Sequence, residues 1–405
     1  MTRYVIVGGG VAGVTAARAL ADRVSLGDNI LLLSRESYPY YPRPLLWRYI
    51  AGTKEQDELY FKPLSWYEEQ GITFRLDTNV TDLDAEAHRL TLEDGEEIHY
   101  DRLLLATGAR PFVPPVEGRE KAGVFTLRTL ADAKSIKAYA EEVSQAVVIG
   151  GGLLGLETAR ALSEAGPAAH VVEIADHLLP RQLDAEGARV LRSLLEDQGL
   201  AITTGAMVDA ILGEGRAERA RTKDGELIDG ELVLFSAGIR CRAKLAKDGG
   251  LEVNHGVVVD VTLRTSAEDI FAAGDVAEFE GRIYGIIPPA MEQAEVAAAN
   301  MVVPGSAEYA GSVPSTTLEV AGARVTSLGK YNPEEENVFQ VVRHADSERG
   351  LYRKFVLDEG RIVGAIILND PQRAAMVRPL IERRTDVSAD ADRLTSDEFD
   401  LKSLL

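Results

Sequence analysis

Tyr4-Val5-Ile6-Val7-Gly8-Gly9-Gly10-Val11-Ala12-Gly13, at the start of the chain, decides the fold. Its first four residues are an apolar run of the kind that fills a buried parallel strand. Gly8 to Gly13 then has the spacing G-x-G-x-x-G, and Val14 to Leu20 is small and apolar, as a helix packed on a sheet must be. A second strand-like run, Ile30-Leu31-Leu32-Leu33, leads to Glu36, about twenty positions after Gly13. In such a unit the first glycine permits a tight turn, the second lets backbone approach a pyrophosphate, and the third lets helix and strand touch. The helix N-terminus offers free N–H groups to the phosphates.

The unit occurs twice. Val147-Val148-Ile149 leads into Gly150-Gly151-Gly152-Leu153-Leu154-Gly155, then a helix-like run from Leu156 to Ala165 ended by Gly166-Pro167. The next strand, His170-Val171-Val172, ends at Glu173. A longer repeat supports duplication. Asp94-Gly95-Glu96 precedes Leu103-Leu104-Leu105-Ala106-Thr107-Gly108-Ala109-Arg110, and Asp224-Gly225-Glu226 precedes Val233-Leu234-Phe235-Ser236-Ala237-Gly238-Ile239-Arg240. Each Asp-Gly reads as a hairpin turn, and each apolar run as a buried strand ending in a glycine. Two accidental matches, each in a complete strand–turn–helix–strand context, are improbable.

At 405 residues the chain needs two or three domains. A composition 45% hydrophobic and 27% charged is that of a globular protein. No apolar run reaches the ~20 residues of a membrane span. The formal net charge of −20 argues against nucleic acid and against an anionic membrane surface as partners. The start runs directly into a strand pattern, so no signal peptide is expected. The single cysteine, Cys241, forms no internal disulfide, so a cytoplasmic setting is expected. Six scattered histidines show no metal-ligand spacing, and no metal is expected.

On these residues the sequence resembles the FAD-dependent pyridine nucleotide–disulfide oxidoreductases, in their rubredoxin reductase and nitrite reductase flavoprotein branch. Further markers are Ile270-Phe271-Ala272-Ala273-Gly274-Asp275, Tyr41-Pro42-Arg43-Pro44-Leu45-Leu46, Pro180-Arg181-Gln182-Leu183-Asp184, and Lys354-Phe355-Val356-Leu357 followed by Val363-Gly364-Ala365. The resemblance implies an α/β fold of two interleaved Rossmann-like dinucleotide-binding domains, glutathione-reductase-like, plus a small C-terminal α+β domain. It places an FAD domain at 1–115 and 243–310, an NADH domain at 116–242 and the C-terminal domain at 311–385. Pro111, Pro114 and Pro115 fall at the first crossing. Within the C-terminal domain, Asn337 to Val342, Leu351 to Leu357 and Arg361 to Leu368 read as strands, and Pro371 to Ile381 as a helix. The tail, 386–405, has six acidic and two basic residues and reads as solvated disorder.

For the FAD site the resemblance implies Gly8, Gly10, Ala12, Gly13, Glu36, Arg43, Pro44, Arg48, Val80, Ala106, Thr107, Gly108, Arg110, Gly274 and Asp275. For the NADH site it implies Gly150, Gly152, Leu153, Leu154, Gly155, Glu173, Arg181, Ala237 and Gly238. Arg43 and Pro44 resemble residues that run beside the flavin. Arg48 falls where many relatives carry a lysine that pairs with a glutamate near the flavin N5, and Glu157 fits that glutamate. These two are the expected catalytic residues, and arginine keeps the charge but not the hydrogen-bond shape of lysine. With a carboxylate at Glu173 and no arginine in Ile174-Ala175-Asp176-His177, NADH is expected over NADPH.

The cysteine pair of the disulfide branches is absent, and Pro44 stands near where the peroxidase branch has its cysteine. Electrons must therefore leave the flavin directly. The reading favoured is an NADH-oxidising reductase of a small carrier protein such as rubredoxin or a ferredoxin. An NADH oxidase or quinone reductase, and an NADH-responsive interaction protein similar to apoptosis-inducing factor, stay open, as do monomer and homodimer. Such carriers are generally acidic, so a local basic patch is required; Arg324, Arg353 and Lys354 are candidate members.

Overall fold

The computed structural model describes residues 1–405 apart from Leu26, Val313, Pro314, Ala321, Glu334 and Glu335. The chain divides into two units, each built on a five-stranded parallel sheet. The first unit comprises Met1–Leu46, Lys54–Phe112 and Gly238–Ser312; the second comprises Trp47–Thr53, Val113–Ala237 and Val313–Leu405.

In the first unit the strand order is Ile270–Ala272, Arg102–Leu105, Arg3–Val7, Asn29–Leu33 and Ile72–Arg75, all parallel. In all of these strands except Ile72–Arg75, apolar residues on both faces are buried, which is why they read as hydrophobic runs. Helix Val11–Ala21 covers one face together with helix Ile287–Val302. A three-stranded antiparallel excursion, Val80–Asp84, Arg89–Leu92 and Glu97–His99, precedes the return strand Arg102–Leu105. Its turn is the Asp94-Gly95 pair, with Gly95 at φ +87°.

The second unit repeats this plan. Its sheet runs Ala201–Thr204, Ala168–Glu173, Gln145–Ile149, Leu232–Phe235 and Val124–Thr126, again all parallel. The matching excursion is Val208–Leu212, Arg219–Thr222 and Leu227–Asp229. In both excursions the first pair is bulged at the same place, two residues into the leading strand. The duplication read from sequence therefore extends to an irregularity that no motif records.

The chain crosses between the units after residues 46, 53, 112, 237 and 312. Trp47–Thr53 joins the second unit, where the Lys137 ammonium lies 4.8 Å from the Tyr49 ring centroid. The C-terminal portion belongs to that unit too. It is an antiparallel sheet in the order Ser315–Val320, Ala323–Gly329, Arg361–Leu368, Leu351–Asp358 and Gln340–Asp346, with helix Pro371–Arg383 packed on it. The two leading strands were not read from sequence, and the strand expected at Asn337 begins at Gln340.

Two expectations need correction. The tail is not solvated disorder. Val387, Ala391, Leu394, Phe399 and Leu401 are buried in one core with Phe355, Ile362 and Val377. Arg373, itself buried, donates to the carbonyls of Leu394, Ser396 and Phe399, so positive charge from the helix holds a segment that is acidic overall. Nor do Arg353 and Lys354 belong to a docking patch. They are 4% and 0% exposed. Arg353 pairs with Asp370 at 2.7 Å and Asp397 at 2.6 Å, and Lys354 pairs with Asp184 at 3.0 Å. Of the three, Arg324 alone is exposed.

That last contact joins two of the sequence markers. Asp184 caps helix Ala185–Asp197 by accepting from the Gly187 N–H at 2.9 Å. Its other oxygen accepts from the Tyr352 hydroxyl at 2.7 Å and faces Lys354. Burial alone would raise this carboxyl, but the Gly187 N–H, the Tyr352 hydroxyl and Lys354 together hold it below its ordinary value. Pro180–Asp184 and Lys354–Leu357 are thus two halves of one polar joint.

Candidate functional site: two dinucleotide cradles

The first cradle is the turn between strand Arg3–Val7 and helix Val11–Ala21. Gly8, at φ +126°, sits against Ala106; a Cβ there would lie 2.1 Å from the Ala106 carbonyl oxygen. At Gly13 a Cβ would meet the Gly8 carbonyl at 1.9 Å, so this glycine is what lets the helix close on the turn. Gly10 differs. Its backbone suits any residue (φ −84°, ψ −171°), and nothing lies within 4 Å of a Cβ placed there. The space it leaves open is in front of the helix N-terminus, where Gly10 supplies no side-chain cap and the first turn has no acid. Uncapped N–H groups facing a vacated volume are what a pyrophosphate needs.

The second cradle repeats this geometry around Gly150, Gly152 and Gly155. A Cβ on Gly150 would lie 2.3 Å from the Ser236 carbonyl, one on Gly155 would lie 1.9 Å from the Gly150 carbonyl, and one on Gly152 would meet nothing. Gly152 likewise caps its helix, Leu153–Ala165, with no side-chain bond. Leu153 and Leu154, half-buried, form its first turn.

Each cradle carries its acid. Glu173 is 7% exposed and already oriented: one carboxylate oxygen accepts from the Gly151 N–H at 2.6 Å and the other from the Ala175 N–H at 2.8 Å. A carboxylate has further lone pairs with which to accept two ribose hydroxyls. Glu36 accepts from the Tyr41 hydroxyl and from Arg43 Nη2 at 2.6 Å. Burial would weaken the Arg43 charge, but Glu36 outweighs it and holds the guanidinium above its ordinary range, with Tyr41 and Asp275 adding to the effect. Pro44, next to it, is exposed in the 3-10 turn Arg43–Leu45.

Among the remaining first-unit residues, Gly274 closes directly on this cradle. Gly274, at φ +80°, packs so closely on helix Val11–Ala21 that a Cβ would come within 2.9 Å of the Ala12 side chain. Its N–H donates to Gln293 Oε1 at 2.9 Å. Ala106-Thr107-Gly108 leads into a ribbon, Ala109–Pro111 paired with Ile239–Cys241. There the Thr107 hydroxyl donates to the Arg242 carbonyl at 2.9 Å, and the Cys241 thiol to the Asp275 carbonyl at 2.9 Å. Val80 packs against the same core, and Arg110 is exposed on the ribbon. Gly238, after Ala237, takes φ +97°. In the second unit Arg181 is exposed, and its carbonyl accepts from the Tyr331 hydroxyl.

Arg48 and Glu157 both lie in the second unit, within electrostatic reach of each other. Glu157 is 8% exposed; burial pushes its carboxyl up to about 8, Arg48 pulls it down and Glu319 adds to the rise. Arg48 Nε is buried without a hydrogen-bond partner, and its guanidinium lies 5.1 Å from the Trp47 ring centroid. Arg48 thus keeps a buried donor open within electrostatic reach of a carboxyl whose charged form burial disfavours. Sequence reasoning missed Gln293, Ser34, whose Oγ accepts the Glu36 N–H at 3.1 Å, and Phe74, which fills the space beside Gly9. Ser34 directly follows the second strand, so its position was available; Gln293, in the middle of helix Ile287–Val302, gave no signal.

Two glycine cradles, each followed by an oriented carboxylate and each on its own parallel sheet, are the arrangement of an oxidoreductase class that brings two dinucleotides to one chain. The model for "Pyridine nucleotide-disulphide oxidoreductase" matches residues 2–300, and that for "Rubredoxin NAD+ reductase C-terminal domain" matches 314–385. A nitrite reductase [NAD(P)H] of Bacillus subtilis is 36% identical over 95% of this chain and 48% of its own length, so the chain spans about half of that relative. An NADH-rubredoxin oxidoreductase of Clostridium acetobutylicum is 30% identical over 100% of this chain and 99% of its own. Putidaredoxin reductase, solved in covalent complex with putidaredoxin, superposes with a TM-score of 0.86 at 27% identity, covering 100% and 98% of the two chains. This chain belongs to the pyridine nucleotide–disulphide oxidoreductase family, with a rubredoxin-reductase C-terminal domain, and the family implies flavin and NAD(H) as its cofactors. Among the described residues no helix is long and apolar enough to cross a membrane, and no group of side chains is arranged to hold a metal ion.

Proposed function

We propose that the chain is an FAD-dependent reductase that oxidises NADH and passes the electrons, without a thiol relay, to a small carrier protein such as a rubredoxin or a ferredoxin in the cytoplasm. The observation that carries this reading is the pair of matched cradles in a chain whose one thiol is unfit for redox work. Burial, then Asp275 and Glu278, push Cys241 up to about 11, so it is protonated at neutral pH and a poor nucleophile. When bound, the flavin accepts a hydride and releases electrons singly. The protein's share is positioning: Gly10 and Gly152 leave room for the pyrophosphates, Glu36 and Glu173 receive ribose hydroxyls, and Gln293 fixes the Gly274 N–H. Arg48 and Glu157, both in the second unit, are the proposed polar pair for hydride transfer.

The deciding experiment measures NADH-dependent reduction of a rubredoxin, a ferredoxin, oxygen and a quinone side by side. Carrier turnover with the highest kcat/KM supports the proposal; a far higher value for oxygen or the quinone replaces it with the oxidase reading. Cys241→Ser is expected to leave NADH-to-dye transfer within about twofold of wild type. Inactivation by alkylation that Cys241→Ser reproduces would show that the thiol takes part.

Cofactor choice rests on Glu173. Its charge repels a 2′-phosphate, so Glu173→Ala is expected to narrow the NADH-over-NADPH gap in kcat/KM by roughly ten- to a hundredfold. Equal use of both cofactors by the wild type would remove this role.

A further inference from the structure

The stretch Arg240-Cys241-Arg242-Ala243-Lys244-Leu245-Ala246-Lys247 holds four cations and no acid in a chain of net charge −20. Its first part is the ribbon strand Ile239–Cys241, and the register sets Arg240 directly opposite Arg110 of Ala109–Pro111. Like charges facing each other across a strand pair are destabilising. Both side chains are exposed, and among the described residues neither forms an ion pair with a carboxylate; Arg240 stacks 4.2 Å from the Phe112 ring centroid instead. The second part is helix Lys244–Asp248, where Lys244 and Lys247 are exposed. Of the acids nearby, Asp248 pairs with Lys244, so that Lys247 carries the net charge of the helix, and Asp84, on the strand this helix packs against, pairs with Arg89 at 3.4 Å. Asp82 on the same strand offsets part of the charge.

The ribbon is also laced to the first cradle. The Arg242 N–H donates to the Gly108 carbonyl at 2.8 Å and its carbonyl accepts from Thr107, while Cys241 reaches the Asp275 carbonyl. Thus the basic stretch borders both segments that close on the proposed flavin site. We propose that Arg240, Lys244 and Lys247, with Arg110 opposite, form the docking face for an acidic electron-carrier protein. This rests on the carrier-reductase reading and names where the carrier sits. In a chain this acidic, long-range forces repel such a partner, and a local cationic face within a Debye length of about 8 Å is what reverses the sign at contact.

The test uses the holoprotein with a rubredoxin or ferredoxin as carrier and menadione as a small neutral acceptor, at about 0.05 M and about 0.5 M salt. Two variants are compared with wild type: Arg240→Glu on the ribbon, and Lys244→Glu/Lys247→Glu on the helix, which spares the ribbon should Arg240→Glu disturb it. The expected result is a KM for the carrier raised about tenfold at low salt, converging on wild type at high salt, with menadione turnover within about twofold. Arg324→Glu, in the second unit, is expected to change none of these. A carrier KM unmoved in both variants, an equal loss toward menadione, or an equal effect of Arg324→Glu overturns the docking face. A wild type that turns over menadione but no carrier instead overturns the acceptor reading on which the face depends.

Discussion

Gly10→Val is expected to purify folded and colourless, with flavin binding weakened at least about 100-fold, or about 2.8 kcal/mol. The argument is volumetric. Gly10 has an ordinary backbone conformation and no protein atom within 4 Å of an added Cβ, so the fold tolerates a side chain there. The volume that the side chain takes is the one in front of the uncapped helix, the proposed place of the pyrophosphate. Gly152→Val is the matching change in the second cradle; it is expected to stay yellow and to lose reduction by NADH to a similar degree. Gly13→Ala behaves differently, because its Cβ would fall 1.9 Å from the Gly8 carbonyl, and loss of soluble folded protein is the expected outcome. Flavin content by absorbance, with far-ultraviolet circular dichroism for folding, separates the three. A fully flavinylated Gly10→Val protein would show that the open volume is not the cofactor's.

Asp184→Ala is expected to lower the stability of the second unit by about 3–5 kcal/mol, because it removes the carboxylate facing a wholly buried ammonium. The lost helix cap contributes about 1 kcal/mol of this. Asp184→Asn retains an acceptor for the Gly187 N–H and isolates the ionic part. The sign of the pH dependence follows from the lowered carboxyl. Its stabilisation is complete above the ordinary aspartate range near pH 4 and fades as pH falls through the still lower folded value. The gap between wild type and Asp184→Ala should therefore close in acid, as read by denaturant midpoints across pH. A gap of constant size from neutral pH down to about pH 3 would mean that packing, not charge, holds the joint.

The cradles were legible because their chemistry is local. Gly13 and Gly155 are required by the carbonyls of Gly8 and Gly150 within the same turn, and the sequence interval between glycine and acid is set by one helix and one strand. The polar joint was not legible in the same way. Asp184 and Tyr352 lie 168 positions apart, and nothing in either motif states that the other is its partner. Charge was misleading for the same reason. Arg353 and Lys354 look like surface cations until the fold supplies Asp370, Asp397 and Asp184, whereas Arg240 and Arg110 look unremarkable until the register of a two-stranded ribbon sets them face to face. The tail was misread because composition counts acids, while its order depends on five apolar residues spaced between them and on Arg373.

The chain passes between its two units after residues 46, 53, 112, 237 and 312. Neither unit is therefore a contiguous module that could be excised, swapped or expressed alone by a single cut. Even a fragment ending at residue 112 would carry the first cradle without Ile270–Ala272, an edge strand of its sheet, and without Gly274. The first unit becomes complete only after the ribosome has made its third segment, by which time most of the second has emerged. Folding of the first sheet must wait for a loop closure of well over a hundred residues, a slow and non-local step of the kind that leaves apolar surface exposed in transit.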